Sequence, residues 1–254
     1  MTLRIIGLGL RGFHGLSMEA VSALESSDHI FLDTYTSITD GKSIDALRKM
    51  FPSLVDADRE MLENPVRILE LSGDSSVSII VVGDPLSATT HNQLRLDAMR
   101  SGISTEVFPS SSIITYAPAA SGLLLYRMGP PVSLPFTEKN FFPTSVYRKI
   151  ARNHDLDLHT LVLLDLREGK TMPVGDACST LKKMEEAERG NILEHVQLIV
   201  VSSAGSHDER IVRGSLRSIE KCVFSSPSCI IIPAILSEKE NEFVEAFTTH
   251  LDET

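Results

Sequence analysis

Val77-Ser78-Ile79-Ile80-Val81-Val82-Gly83-Asp84-Pro85-Leu86 is the stretch whose reading decides the fold. The run Val77–Val82 has no charge and no alternation, the pattern of a central strand buried on both faces by covering helices. It stops at Gly83, so the strand delivers a turn at its carboxyl end, where open α/β sheets place their ligands. Upstream, apolar runs alternate with helical segments: strand Leu3–Ile6, helix Ser17–Ser26, strand His29–Leu32 and helix Ser43–Met50, with Ser17 and Ser43 as expected N-caps. Downstream follow a helix over Asn92–Arg100, a strand over Thr105–Phe108 and an apolar helix over Ile114–Leu125. Gly129-Pro130-Pro131 punctuates the chain there and sets the expected boundary between an N-terminal α/β domain, 1–129, and a C-terminal one, 130–254. The second half predicts strands Thr160–Leu164, Val196–Val201 and Cys229–Ile232 and helices Asp176–Glu188 and Glu238–Thr248, without an internal repeat. The fold class is therefore α/β, in two α/β domains.

Composition narrows the function classes. In 254 residues, 42% are hydrophobic and 23% charged, and no run approaches the roughly 18 apolar residues of a membrane span. No membrane partner is expected. The formal charge of −10, without a Lys/Arg block, speaks against a nucleic-acid partner. Cys178, Cys222 and Cys229 form no C-x-x-C pair, and the histidines show no metal spacing. A reducing, cytoplasmic setting and no metal are the expectations. Met1-Thr2-Leu3-Arg4 runs straight into the first strand without a charged leader, which predicts no export.

Gly7-Leu8-Gly9-Leu10-Arg11-Gly12 after the first strand has the G-x-G-x-x-G spacing, with Asp33 closing the second strand where a ribose-binding acid would stand. The dinucleotide reading needs the last glycine to open a helix, and Phe13-His14-Gly15 intervene. A glycine turn lining another ligand is the alternative. In Gly83-Asp84-Pro85, glycine permits close approach, proline fixes φ and aspartate offers a carboxylate, although an ordinary β-turn would use the same residues. Thr89, Thr90 and His91 beside it favour function.

Gly7-Leu8-Gly9-Leu10, Tyr35-Thr36-Ser37, Gly83-Asp84-Pro85-Leu86 with Ala88-Thr89-Thr90-His91, Asn140-Phe141-Phe142-Pro143-Thr144-Ser145 and His159-Thr160-Leu161 with Leu164-Asp165 together resemble the diphthine synthases, in order along nearly the whole chain. Gly83-Asp84-Pro85 alone suggests the wider tetrapyrrole-methylase superfamily, and the Tyr35 and Phe142 blocks narrow it. The resemblance implies a class III S-adenosylmethionine-dependent methyltransferase, two α/β domains with the cofactor in the cleft between them, and a homodimer. The product cofactor would be S-adenosylhomocysteine. The implied substrate is the modified histidine of translation elongation factor 2, whose 3-amino-3-carboxypropyl amine is methylated to diphthine on the route to diphthamide. Eukaryotic relatives add a methyl ester; the short tails here look archaeal, which implies trimethylation. The cofactor contacts carried over fall on Leu10, Asp84, Ser87, Ser112 and Ile113, and in the second half on Leu164, Ser203 within Ser202–Ala204, and Ser228. Ser87 stands where a small apolar residue is frequent, the spacing from Ser112 to Ser121-Gly122 is one residue longer than usual, and Ser228 replaces an expected histidine.

Methyl transfer from a sulfonium needs positioning more than covalent help, so no residue is assigned a catalytic role. Tyr35 and His91 are the candidates for contacting the acceptor. Arg167 and Arg213 could meet a substrate carboxylate or be surface arginines, and Ser206-His207-Asp208 reads as a polar loop rather than a triad. The rival functions are a tetrapyrrole or RNA methyltransferase of the same superfamily, and a non-catalytic binder of elongation factor 2.

Overall fold

In the computed structural model, which describes residues 1–138, 141–167 and 169–251, contacts group the chain into two compact units, Met1–Ile113 and Ile114–Thr254. Gly129-Pro130-Pro131 lies inside the second unit. Asn140 of the Phe142 block falls outside the described residues.

The first unit is built on strands β1 (Thr2–Gly7), β2 (His29–Asp33), β3 (Leu54–Ala57), β4 (Ser76–Val81) and β5 (Ser104–Phe108), ordered β3-β2-β4-β1-β5. All the pairings are parallel. The run that fixes the fold is β4 at the centre, and both its faces are covered. Val77, Ile79 and Val81 join Leu3 and Ile5 in a core with helices α4 (Val66–Asp74) and α5 (His91–Arg100), through Ile68, Leu94 and Ala98. Ile80 joins Ile6, Leu8 and Ile30 against α1 (Met18–Glu25) and α2 (Gly41–Met50), through Ala20, Leu24 and Leu47. Each fully buried aliphatic side chain stabilises by about 1.5–3 kcal/mol, which explains why an unbroken apolar run is tolerated here. Ser78, the one polar residue inside this run, is fully buried and meets the Ser27 hydroxyl at 2.7 Å.

Ser17 caps α1 as expected, its hydroxyl accepting from Ala20 N at 3.1 Å. Ser43 does not cap α2. Asp40 holds that place, because its carboxylate accepts from both the Ser43 N–H at 3.0 Å and the Ser43 hydroxyl at 2.6 Å, and the helix starts earlier, at Gly41. β3, α3 (Arg59–Glu63) and α4 were not read from the sequence.

The second unit takes in α6 (Ile113–Ala120) from Ile114 onward, and that helix ends sooner than the expected Leu125 as the chain tightens into a short 3-10 turn at Leu125–Arg127. β6 (Val132–Leu134), α7 (Ser145–Asp155), β7 (Thr160–Leu164), the hairpin β8 (Leu166–Arg167) and β9 (Lys170–Thr171), and α8 (Val174–Glu188) follow. Then come β10 (Leu198–Ser202), β11 (Arg210–Gly214), α9 (Leu216–Glu220), β12 (Ser228–Ile232), α10 (Glu238–Phe247) and β13 (Thr249–His250). The main sheet is mixed, ordered β13-β11-β10-β12-β7-β6, and its core gathers Ile150, Val162, Leu181, Leu198, Val200 and Ile230.

A buried polar knot ties this unit together. Glu240 is fully buried and closes a capping box with Ser237 at the start of α10. It also accepts from Leu124 N at 3.1 Å, pairs with Arg127, and meets His159 Nε2 at 2.9 Å. Because His159 Nδ1 accepts from Ala234 N at 2.9 Å, the neutral ring carries its proton on Nε2, towards Glu240. Burial would raise the Glu240 carboxyl, but its donors hold it down at about 2, while burial pushes His159 below its usual value.

Candidate functional site

In the first unit, β1 connects through α1 to β2 on one side, whereas its neighbour β4 connects through α5 to β5 on the other. The crevice between the carboxyl ends of β1 and β4 is thus a topological switch point, the usual ligand position in an open parallel sheet. Both glycine-bearing turns arrive there. Leu8 N donates to Val81 O at 2.7 Å, and Gly9 and Gly83 exchange N–H to carbonyl bonds at 3.1 Å in each direction. These bonds tie the two turns to each other just beyond the ends of the parallel strands.

The fit is close at Gly7. A Cβ there would lie 2.7 Å from Ser110 Cβ, 2.8 Å from Pro85 Cδ and 2.9 Å from Gly83 O, so no side chain is accommodated. Gly83 differs: its φ is +78°, and a Cβ placed on it would find only Ser111 O within 4 Å, at 3.9 Å. The turn therefore presents bare backbone to open space, a surface a ligand can approach closely.

Asp84 is bound within the protein. Its Oδ1 accepts from Leu86 N at 3.1 Å and from the Ser87 hydroxyl at 2.8 Å, and its Oδ2 accepts from Ser110 N at 3.2 Å. The carboxylate therefore staples its own turn to the loop after β5. The Ser87 hydroxyl completes that staple. Ser111 adds a second link, its hydroxyl accepting from Leu10 N at 3.0 Å. Ser112 is buried and Ile113 half-buried where this loop enters α6. The structure thus gathers Leu10, Asp84, Ser87 and Ser112 at the carboxyl end of the sheet. The staple's other end, Ser110, was not singled out in the sequence, although a serine run directly after a parallel strand was available as a signal.

Asp33 ends β2, which pairs with β4 through Leu32 and Ile80, so its loop lies beside the Gly83 turn. Its Oδ1 accepts from Tyr35 N at 2.8 Å and Thr36 N at 3.0 Å, and its Oδ2 accepts the Thr36 hydroxyl and lies 3.4 Å from His91 Nε2. Burial would raise its carboxyl, but His91, the Thr36 hydroxyl and the two backbone donors hold it below the usual carboxylate value. A carboxylate so occupied is not offered to a ribose. Gly12 opens a 3-10 turn that stops at Gly15, well before α1. The dinucleotide alternative loses both its helix and its acid. Tyr35 points its hydroxyl at Glu63 Oε1, 3.4 Å away, beneath the Arg59 guanidinium.

In the second unit, Ser202 pairs with Ser228, and Cys229 with Leu163. Leu164, Ser203 and Ser228 therefore share one end of that sheet. Ser203 has φ +50° and donates its N–H to Pro227 O at 2.8 Å. Glu209, missed in the sequence, holds the turn: its Oε2 accepts from Gly205 N at 2.6 Å and from the Tyr116 hydroxyl at 2.8 Å. The Ser228 hydroxyl donates to Ser225 O at 2.6 Å. Arg167 pairs with Glu138 and stacks over Phe136, and Arg213 pairs with Glu245. Ser206 Oγ accepts from Asp208 N at 3.1 Å, a local turn.

Residues 2–220 match the family described as Tetrapyrrole (Corrin/Porphyrin) Methylases. The diphthine synthase of Thermoplasma acidophilum is 39% identical over 97% of this chain and 95% of its own length. That of Methanothermobacter thermautotrophicus is 34% identical over 96% and 92%. An Arabidopsis thaliana protein named "Probable diphthine methyl ester synthase" is 32% identical over 96% and 98%. A solved diphthine synthase structure is similar with a TM-score of 0.87 at 27% identity, covering 98% of this chain and 97% of that one. Glycine turns meeting at a switch point, a Gly-Asp-Pro staple and full-length similarity lead to one assignment: the chain belongs to the tetrapyrrole-methylase family and, within it, to the diphthine synthases, the S-adenosylmethionine-dependent methyltransferases of diphthamide biosynthesis.

Proposed function

We propose that the chain methylates the amino group of the 3-amino-3-carboxypropyl side chain on the modified histidine of translation elongation factor 2, forming diphthine. The observation that carries this reading is the open, backbone-lined face at Gly83, set at the switch point beside the Asp84 staple. Such a face lets a cofactor rich in polar groups approach the main chain closely. S-adenosylmethionine supplies a methyl group already activated on a sulfonium. Leu10, Asp84, Ser87, Ser112 and Ile113 of the first unit, and Leu164, Ser203 and Ser228 of the second, are the proposed donor contacts. Tyr35 and His91 are the proposed residues on the acceptor side.

The protein's own contribution is placement. Holding the amine in line with the methyl group and its leaving sulfur draws on the roughly 7–11 kcal/mol available from orientation and pre-organisation. The amine reacts in its neutral form, and an environment that excludes water favours that form. Asp84, tied down by its donors, acts by holding the turn.

A homodimer in the cytoplasm is part of the same proposal. Cys178 and Cys229 are buried thiols, each pushed up to about 12 by desolvation, which suits a chain that makes no use of disulfides. Among the described residues, no helix is long and apolar enough to cross a membrane. The test is incubation with methyl-labelled donor and elongation factor 2 carrying the unmethylated precursor. Label is expected on that factor and should survive mild alkali, as an N-methyl group does and a methyl ester does not. Transfer to a tetrapyrrole or RNA instead, or no transfer at all, would overturn the reading.

A further inference from the structure

His91 is the first residue of α5 and the last of the Gly83–His91 segment, yet its side chain is 2% exposed and that of Asp33 is 0% exposed. Neither ring nitrogen of His91 has a hydrogen-bond partner among the described residues. Asp33 Oδ2 lies 3.4 Å from its Nε2, a contact longer than an aligned hydrogen bond. A buried imidazole with so little satisfaction calls for an explanation, and its placement supplies one. The other side of the same carboxylate organises the Tyr35-Thr36 backbone and the Thr36 hydroxyl. One buried contact therefore links two segments that leave adjacent strands: the turn of the proposed donor site, and the Tyr35-Thr36-Ser37 loop.

We infer that Asp33 and His91 are positioning residues that fix the Tyr35-Thr36-Ser37 loop against the Gly83–His91 segment and so set where the acceptor side chain sits. Neither needs to touch the acceptor. Asp33 shapes the loop through its turn hydrogen bonds, and His91 holds Asp33 from the opposite side. The inference rests on the proposed function, since it requires an acceptor that enters beside this loop. It adds that acceptor placement is controlled from within the core of the first unit and is separable from donor binding, which uses the Asp84 staple and not Asp33.

The experiment compares wild type with Asp33→Asn, His91→Leu and His91→Gln. Binding of S-adenosylhomocysteine is measured by calorimetry, and steady-state methylation is measured against precursor-bearing elongation factor 2. Asp33→Asn and His91→Leu should keep product affinity within about threefold while kcat/KM for the acceptor falls by about 10- to 100-fold. His91→Gln, which returns an N–H donor towards Asp33, should recover part of that loss. Thr36→Val removes one hydroxyl from a half-buried position and reads the same split on a smaller scale if the core variants fail to fold. A parallel loss of S-adenosylhomocysteine affinity overturns the inference, and so does a lowered melting temperature with kinetics per folded molecule unchanged. An inactive wild type overturns the proposed function and this inference with it, whereas an active wild type with donor-defective variants overturns the inference alone.

Discussion

Replacing Asp84 with Asn separates the two halves of the carboxylate's work. With the amide carbonyl in the Oδ1 position, the bonds from Leu86 N at 3.1 Å and Ser87 Oγ at 2.8 Å survive. The amide NH2 then faces the Ser110 N–H that Oδ2 accepts at 3.2 Å, and two donors oppose each other. A hydrogen bond to a charged acceptor is worth about 1.5–3 kcal/mol net. At 3.2 Å this is the longest of the three, which places the loss near about 1.5–2 kcal/mol. If the staple sets the shape of the donor site, that energy appears as weaker binding of S-adenosylhomocysteine by about 10- to 30-fold, each tenfold being about 1.4 kcal/mol. Asp84→Ala removes all three bonds and should weaken binding further. Titration calorimetry on both variants measures the effect directly. Wild-type affinity in Asp84→Asn would refute the reasoning, because the link to the Ser110 loop would then have no bearing on the donor. Equal losses in both variants would assign Asp84 a direct charge contact with the ligand.

Gly7→Ala forces a methyl group to within 2.7 Å of Ser110 Cβ and 2.8 Å of Pro85 Cδ, and overpacking of this kind costs about 1–3 kcal/mol; calorimetric melting should fall by several degrees with donor binding impaired. Glu240 is held at about 2 in the folded state against 4.5 for an ordinary glutamate, so its stabilisation, at most about 3 kcal/mol, is complete above pH 4.5 and disappears as the pH falls through about 2. The lowered His159 works in the same direction: below its ordinary 6.5 the unfolded chain binds a proton that the buried ring resists, so stability declines from there. Denaturant midpoints measured from pH 7 downwards should fall in wild type, and Glu240→Gln should flatten the lower limb; a profile unchanged by that substitution would count against the assignment. Glu209→Ala frees the Gly205 N–H and the Tyr116 hydroxyl and should weaken S-adenosylhomocysteine binding by about tenfold, an effect that Tyr116→Phe should share only in part.

What the sequence disclosed followed from local chemistry. The Val77–Val82 run revealed a parallel sheet because only a strand covered on both faces tolerates it, and the Gly83 turn was legible because it ends that strand. The less patterned elements escaped. β3 alternates only partly along Leu54–Ala57 and β6 is Val132–Leu134 alone, whereas α7 went unread although Val146, Tyr147, Ile150 and Asn153 line one face of Ser145–Asp155. Ser43 misled because a serine near a helix start can be either the cap or the residue the cap serves, and Asp40 three positions earlier took the role. At the site, identities were readable but partners were not. Asp33 resembled a ribose acid until Tyr35, Thr36 and His91 were seen around it. For Asp84, nothing in the sequence indicated that Ser110, 26 residues further on, donates to the same carboxylate. The pairings of Asp33 with His91 and of Asp84 with Ser110, distant along the chain, leave no spacing signature.

The exchanged Gly9 and Gly83 bonds mean that the floor beneath the proposed ligand is main chain, contributed equally by two loops and independent of side-chain identity. Such a floor is indifferent to most substitutions above it. The walls can drift, and the acceptor can change with them, while the surface that receives the common cofactor keeps its shape. Sequence comparison should then find its fixed points in small residues and their staples, and its variety in the loops that face the acceptor.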